Sequence, residues 1–317
     1  MFMEKFNNSG VFPTMITPYK ADGSVDVETA IKYADWYYNK GASGVFALCH
    51  SSEIWNLTFE EKKTLLSAVY KRAKELEKTG GRAFTVVSSG HTANTVEEQA
   101  RELSELYETG TDALIWISNR LDINNEGDDV WIANAEKLLS LLPKDAKLGI
   151  YESPYPYKRL VTPRILKWCL STDRFYFMKD TCCDKTMIRE RLGILNGSHF
   201  SLMNANAQTL LDSLQHGARG YSSVMSNFHP ELYVWLCDNF DKCPEKAKEL
   251  QEFLGTVAFT EMGLPYPLSA KYSMCLEGIQ TENLSRVRKS TELTDYARDC
   301  IEQMHEMCVK IAQRLGI

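Results

Sequence analysis

The sequence predicts an α/β chain folded as a (β/α)8 barrel with a helical bundle at its C-terminal end. Three observations carry that expectation. Short β-rich runs alternate with amphipathic stretches of helical period, the pattern of parallel βαβ units whose sheet is buried on both faces. Eight such alternations within about 220 residues suit a closed barrel better than an open doubly wound sheet. After Val224 the alternation stops and the pattern is helical to Ile317.

The runs expected as strands are Val11–Thr17, Gly44–Leu48, Ala83–Ser88, Ala113–Ser118, Lys147–Tyr151, Phe175–Lys179, Phe200–Met203 and Gly220–Val224. Between the first two, Val27–Lys40 repeats apolar residues at Ile31, Ala34 and Tyr38, the spacing of one helix face. Thr95–Thr109 does the same with Ala100, Leu103 and Leu106, and Thr95 followed by Glu98 reads as a helix start. The stretch Arg120–Asp129, rich in Asn, Asp and Gly, predicts a long loop after the fourth strand, on the face where a barrel keeps its site. From Glu231 onward the helical pattern breaks at Asp241–Pro244, Gly263–Pro267 and Gly278, which predicts about three helices. The expected division is a barrel over 1–230 and a firmly docked helical domain over 231–317.

Composition narrows the classes. Of 317 residues, 44% are hydrophobic and 25% charged, ordinary for a globular chain. A net charge of -6 offers no excess of Lys and Arg for phosphates, so no nucleic-acid partner is expected; an anionic substrate in a locally positive site remains compatible. The nine cysteines show no paired metal-ligand spacing, and a chain of this size needs no disulfides. They are expected to be reduced and mostly buried. Met1–Gly10 is polar without an apolar signal core, and no run reaches the ~18 apolar residues of a membrane span. The expectation is a soluble, cytoplasmic protein without a membrane partner.

Catalytic groups in a barrel sit at the C-terminal ends of strands. Strand two ends at Cys49-His50-Ser51-Ser52-Glu53, strand five at Tyr151, strand six at Lys179-Asp180, and strand eight near Ser222 and Ser223. Lys179 follows the apolar run Phe175-Tyr176-Phe177-Met178; burial lowers a lysine pKa and frees the amine as a nucleophile. Tyr151, one strand away, is a candidate acid and base. Ser51 and Ser52, with their backbone N–H groups, are candidates to hold a carboxylate. Each has a plainer reading: a solvated lysine or ion-pair partner, a tyrosine packing the rim, and a serine pair capping a helix.

Several motifs recur in a known order. Gly10-Val11-Phe12-Pro13-Thr14-Met15-Ile16-Thr17-Pro18-Tyr19 and Asp22-Gly23-Ser24-Val25-Asp26 resemble the opening strand and loop of the dihydrodipicolinate synthase / N-acetylneuraminate lyase family. Ser51-Ser52-Glu53, with Leu57-Thr58 and Glu60-Glu61, resembles its G-[ST]-T-G-E…L-T-x-x-E segment. Tyr151-Glu152-Ser153-Pro154 resembles Y-N-x-P, and Lys179-Asp180-Thr181 resembles the segment of the Schiff-base lysine. Gly217-Ala218-Arg219-Gly220 with Ser223-Val224 and Asn227, then Pro267 to Lys271, continue the likeness, which runs from Gly10 to Gly278.

The resemblance implies a class I aldolase. Lys179 would form an imine with pyruvate or a similar 2-oxo acid, and Tyr151 would shuttle protons. Ser51 and Ser52 would hold the carboxylate, and Ser222 and Ser223 are further candidates for binding the substrate. An aldehyde is the implied second partner, with no metal or organic cofactor, and the implied assembly is a homotetramer built as a dimer of dimers. A hydratase or dehydratase, or a hydratase-aldolase, would use the same imine, and a non-catalytic binding barrel is the reading from a third class.

The chain also departs from the family. His50 stands where the family places a hydroxyl that relays protons to the tyrosine, and Cys49 and Ser52 replace two glycines. Strand four ends Ile117-Ser118-Asn119-Arg120 without the aromatic pair of dihydrodipicolinate synthases, and their arginine position falls at Pro156. Both departures disfavour classical lysine biosynthesis. Residues that would read a sialic acid chain are not evident, while Tyr151, Pro154, Tyr157 and Lys158 bear a short likeness to the hydratase-aldolase branch. His50 is a candidate relay residue, or it turns aside into its loop.

Overall fold

The computed structural model describes residues 6–317, so residues 1–5 of the polar Met1–Gly10 segment lie outside the described residues. Eight parallel strands form one sheet: β1 Gly10–Val11, β2 Gly44–Phe46, β3 Thr85–Ser88, β4 Ala113–Ile117, β5 Leu148–Tyr151, β6 Phe175–Asp180, β7 Ser201–Asn204 and β8 Gly220–Tyr221. Their order is β1-β8-β7-β6-β5-β4-β3-β2, and a bridge from Thr14 to Phe46 joins the two ends. The result is the expected (β/α)8 barrel.

The first strand is much shorter than the expected Val11–Thr17. Pro13 has no N–H to give a ladder, and the chain here passes from one neighbour to the other. Phe12 N donates to Tyr221 O at 2.8 Å, whereas Met15 N donates to Phe46 O at 3.0 Å and Phe46 N to Pro13 O at 2.9 Å. The seam depends on a close backbone approach. A Cβ on Gly220 would lie 1.9 Å from the carbonyl oxygen of Gly10, its register partner; only glycine fits there.

Helices follow the strands: α1 Val27–Asn39, α2 Phe59–Gly80, α3 Val96–Thr109, α4 Asp128–Leu141, α5 Pro163–Ser171, α6 Lys185–Leu195, α7 Leu210–Gln215 and α8 Pro230–Asn239. The sequence motifs turn out to be caps. Asp26 accepts from Thr29 N to start α1, Thr58 and Glu61 form a reciprocal capping box on α2, and Thr95 caps α3. The loop expected over Arg120–Asp129 is shorter than that, because a 3-10 turn covers Ser118–Leu121 and α4 already begins at Asp128. Asp122 holds the remainder by accepting from Glu126 N and Gly127 N.

Helix α8 packs on β1 and β8, with Leu232 and Leu236 against Val11 and Tyr221. Three further helices follow, α9 Pro244–Met262, α10 Leu268–Leu276 and α11 Asp295–Leu315. Leu250 and Leu254 of α9 and Cys308 and Ala312 of α11 join the same apolar cluster. Among the described residues no helix is long and apolar enough to cross a membrane.

Trp116 and Trp131 are both fully buried, where each removes a large apolar area from water. One expectation about exposure changes. All nine cysteines are free, but Cys49, Cys169 and Cys308 alone are fully buried and Cys183 is exposed. Most of the others sit on helix faces that are half covered, so "mostly buried" overstated their burial.

Candidate active site

Lys179 and Tyr151 meet because of a register shift. Leu148 pairs with Phe175, but Gly149 pairs with Phe177, so Tyr176 is skipped and Tyr151 lies opposite Lys179 instead of Met178. A one-residue bulge of this kind re-aims every later side chain. Gly149 allows it: a Cβ there would lie 2.5 Å from both Phe177 O and Ile115 Cδ1. The Lys179 amine consequently sits 4.5 Å from the centre of the Tyr151 ring and 5.7 Å from that of Phe46.

The surroundings decide the charge state of the amine. Lys179 is 3% exposed, and among the described residues no carboxylate pairs with it. Burial lowers its pKa to about 8, with the Cys49 thiol opposing slightly. The Tyr151 phenol is pushed up, first by burial and then by Cys49, with a hydrogen bond from Ser153 working the other way. At neutral pH about a tenth of the amine is therefore free, beside a protonated phenol.

Successive residues on a strand face opposite sides, and here that alternation supports the pair. Glu152 and Asp180, which follow Tyr151 and Lys179, are fully buried outside the barrel wall. Arg191 of α6 donates to Glu152 at 2.6 Å and also pairs with Asp180. Glu152 further accepts from Val161 N at 2.7 Å and Thr181 N at 2.8 Å. Burial raises the Glu152 carboxyl while Arg191 holds it down. This triad ties the ends of β5 and β6 together directly beneath Lys179 and Tyr151. Sequence reasoning missed it, although Glu152 and Asp180 lie inside the quoted motifs.

The strand-two loop forms a 3-10 turn, His50–Ser52. Ser51 lines the cavity that holds Lys179 and Tyr151, and its hydroxyl donates to Thr14 Oγ1 at 3.2 Å. Ser52 does not reach the cavity. Its hydroxyl bonds to Met15 O at 2.7 Å and Ala47 O at 3.0 Å, and its N–H donates to Cys49 O, so it closes the turn. Ser223 lines the cavity, whereas Ser222 is buried beside it with an unpartnered hydroxyl. His50 stands exposed at the mouth, stacked on Tyr155 with centroids 6.0 Å apart. Among the described residues no hydrogen bond joins it to Tyr151. Desolvation and then the Lys179 charge hold its pKa below the ordinary value.

Glu53 locks this loop from behind. It adopts φ 58, an uncommon conformation for a side chain that bears Cβ and one that concentrates near functional sites. Arg286 N and Ser285 Oγ donate to its carboxylate at 2.6 and 3.0 Å, and Lys271 approaches to 3.7 Å. The likeness at Glu53 and Lys271 thus marks a clasp between the barrel loop and the C-terminal helices.

The cavity measures about 550 Å³. Its floor is Lys179 and Tyr151, and Trp55, Met225 and Val287 give it apolar walls. Lys158 and Arg288 bring charge to the rim, Met262 comes from the end of α9, and Tyr266 and Pro267 come from the turn between α9 and α10. Among the described residues no three His, Cys, Asp or Glu side chains converge as a metal site.

Comparison with known proteins bears on the family and the fold. Residues 7–117 and 171–304 match the model of the Dihydrodipicolinate synthetase family. The chain is 24% identical over 283 residues to a 4-hydroxy-tetrahydrodipicolinate synthase of Jannaschia sp. (strain CCS1), covering 87% of this chain and 90% of that protein. Among solved structures, the Ruminococcus gnavus sialic acid aldolase catalytic lysine mutant superposes with TM-score 0.84 at 16% identity, over 96% and 97% of the two chains. YagE, a prophage protein from E. coli K12 in complex with pyruvate, gives 0.81 at 18% identity, over 95% and 98%.

Proposed function

Since the chain belongs to the dihydrodipicolinate synthetase family, a family of class I lyases, we propose that it joins a pyruvate-like 2-oxo acid to an aldehyde, or cleaves such a product, through an imine on Lys179. One observation carries the assignment of the residue: an unpaired, buried amine with a pKa near 8 faces a buried phenol at the base of the cavity. The free amine attacks the ketone carbon, and the resulting carbinolamine loses water to give a protonated imine. That cation accepts electrons from the neighbouring carbon, so a proton or a C–C bond there can break. Tyr151 donates to the departing hydroxyl and takes protons back. The Ser51 hydroxyl and N–H, with Ser223 across the cavity, hold the carboxylate and align the reacting carbon.

The barrel, 1–230 in the sequence reading, supplies the chemistry in this proposal, and the helical part, 231–317, supplies walls through Met262 and Tyr266. Within that part, α8 serves as the barrel's own eighth helix. A homotetramer and a cytoplasmic location belong to the same proposal; light scattering at micromolar concentration showing a 36.1 kDa monomer would remove the first. The decisive test is borohydride reduction in the presence of pyruvate, read by intact mass and peptide mapping. A reduced adduct at Lys179 supports the reading, and an adduct elsewhere or none overturns it. Product analysis with candidate aldehydes then identifies the partner.

A further inference from the structure

We propose that Tyr266 is a second phenol in the proton transfer, forming a dyad with Tyr151. The inference rests on the imine reading of Lys179 and adds a group that nothing in the strand-end rule singles out. Tyr266 lies between α9 and α10, outside the barrel strands, yet it lines the same cavity as Lys179, Tyr151 and Ser51.

Its oxygen is held for charge. Asn227, fully buried, donates from Nδ2 to the Tyr266 hydroxyl at 3.1 Å and to Thr14 O at 2.9 Å. The Asn227 side-chain carbonyl accepts from Tyr37, which fixes the amide with its N–H groups toward Tyr266. Ser51 and Thr14 lie beside that phenol and favour its ionised form. An oxygen that accepts from a fixed amide N–H is suited to carry transient negative charge, and its own hydrogen remains available to a neighbour. Burial disfavours each phenolate, and the Tyr266 charge adds to the rise at Tyr151. Two buried phenols that oppose double ionisation can share one proton deficit.

The steps balance without another reactant. Tyr151 gives its proton to the carbinolamine hydroxyl; the C–O bond breaks, water leaves, and the nitrogen lone pair forms the C=N bond of the imine cation. Tyr266 passes its proton to the Tyr151 phenolate, so the negative charge rests on the oxygen held by Asn227. A proton then leaves the methyl carbon of the bound pyruvate to the dyad. Its C–H electrons form the enamine double bond, the C=N electrons return to nitrogen, and both phenols are restored. Tyr266 in this way fills a relay that His50, stacked on Tyr155, does not.

The test is exchange of pyruvate methyl protons with D2O, followed by NMR, for the wild-type chain and Tyr266→Phe, with adduct formation measured in parallel. The expected result is a roughly 10- to 100-fold slower exchange in Tyr266→Phe, below the usual 10²–10⁴-fold worth of an acid–base group that meets the substrate itself, with the pyruvate KM changed less than about two-fold. Equal exchange rates would overturn the dyad while leaving Lys179 in place. A matching rise in KM would overturn it too, and would make Tyr266 a carboxylate binder. Failure of the wild-type chain to form any adduct would overturn the imine and the dyad together. A proton inventory on the wild-type chain applies even where the variant does not fold. A curved dependence of exchange rate on deuterium fraction supports two protons in flight, and a linear one overturns the proposal.

Discussion

The acidity of Lys179 offers the sharpest test of the site, with pH as the perturbation. Burial takes the amine from an ordinary value near 10.5 to about 8, a difference of about 3 kcal/mol between its two protonation states. At pH 7 about 9% of the amine is then free, against roughly 0.03% for an ordinary lysine, a gain of about 300-fold in nucleophile. The assay is the initial rate of adduct formation with pyruvate and cyanoborohydride from pH 6 to 10, read by intact mass. The rate should rise about ten-fold per pH unit below 8 and flatten above it. A profile that keeps climbing past pH 9.5 would mean that the reacting amine is not desolvated, and the nucleophile would have to be sought elsewhere.

Other perturbations follow from the same contacts. Lys179→Met should abolish the adduct and raise stability at pH 7 by about 1–3 kcal/mol, seen as a higher urea midpoint; a lower midpoint would show that the amine is satisfied in place. The sign follows from linkage: with a folded pKa near 8 below its unfolded value, Lys179 leaves the folded chain binding fewer protons, so stability from this group rises with pH between about 8 and 10.5. Arg191→Met leaves Glu152 and Asp180 buried without their cation and should cost about 3–5 kcal/mol, measured by denaturant titration; a loss under 1 kcal/mol would dismiss the triad as a brace. Tyr151→Phe should slow pyruvate proton exchange by about 10²–10⁴-fold, and near wild-type exchange would hand the acid–base role to another group. His50→Thr should leave the pH–rate profile superimposable on that of the parent, because the imidazole stacks on Tyr155 at the mouth; a shifted limb between pH 5.5 and 7.5 would put it back in the relay.

Hydrophobic patterning was enough for the barrel and for the two residues proposed to react. Eight β-rich runs of the right spacing have few other ways to bury both faces, and the strand-end rule brought Lys179 and Tyr151 forward because each closes an apolar run. Local signals also read correctly where their physics is local. Thr95 with Glu98 is a cap formed by neighbours in the chain, and so needs no tertiary information.

What depends on partners far along the chain was decided by the tertiary structure alone. Ser51 and Ser52 are equivalent in sequence, yet one faces the cavity and the other is consumed by the carbonyls of Met15 and Ala47. His50 was drawn toward Tyr155, a contact that depends on where a loop one hundred residues later comes to lie. The bulge that sets Tyr151 against Lys179 arises from the room at Gly149, where Phe177 O and Ile115 close in from the neighbouring strands. Arg191 and Tyr266 carry no strand-end signal; their position beside the site comes from helix packing that periodicity describes only as a buried face. Periodicity reports which side of an element is apolar, and the identity of the residue met on that side is settled only when distant elements pack together.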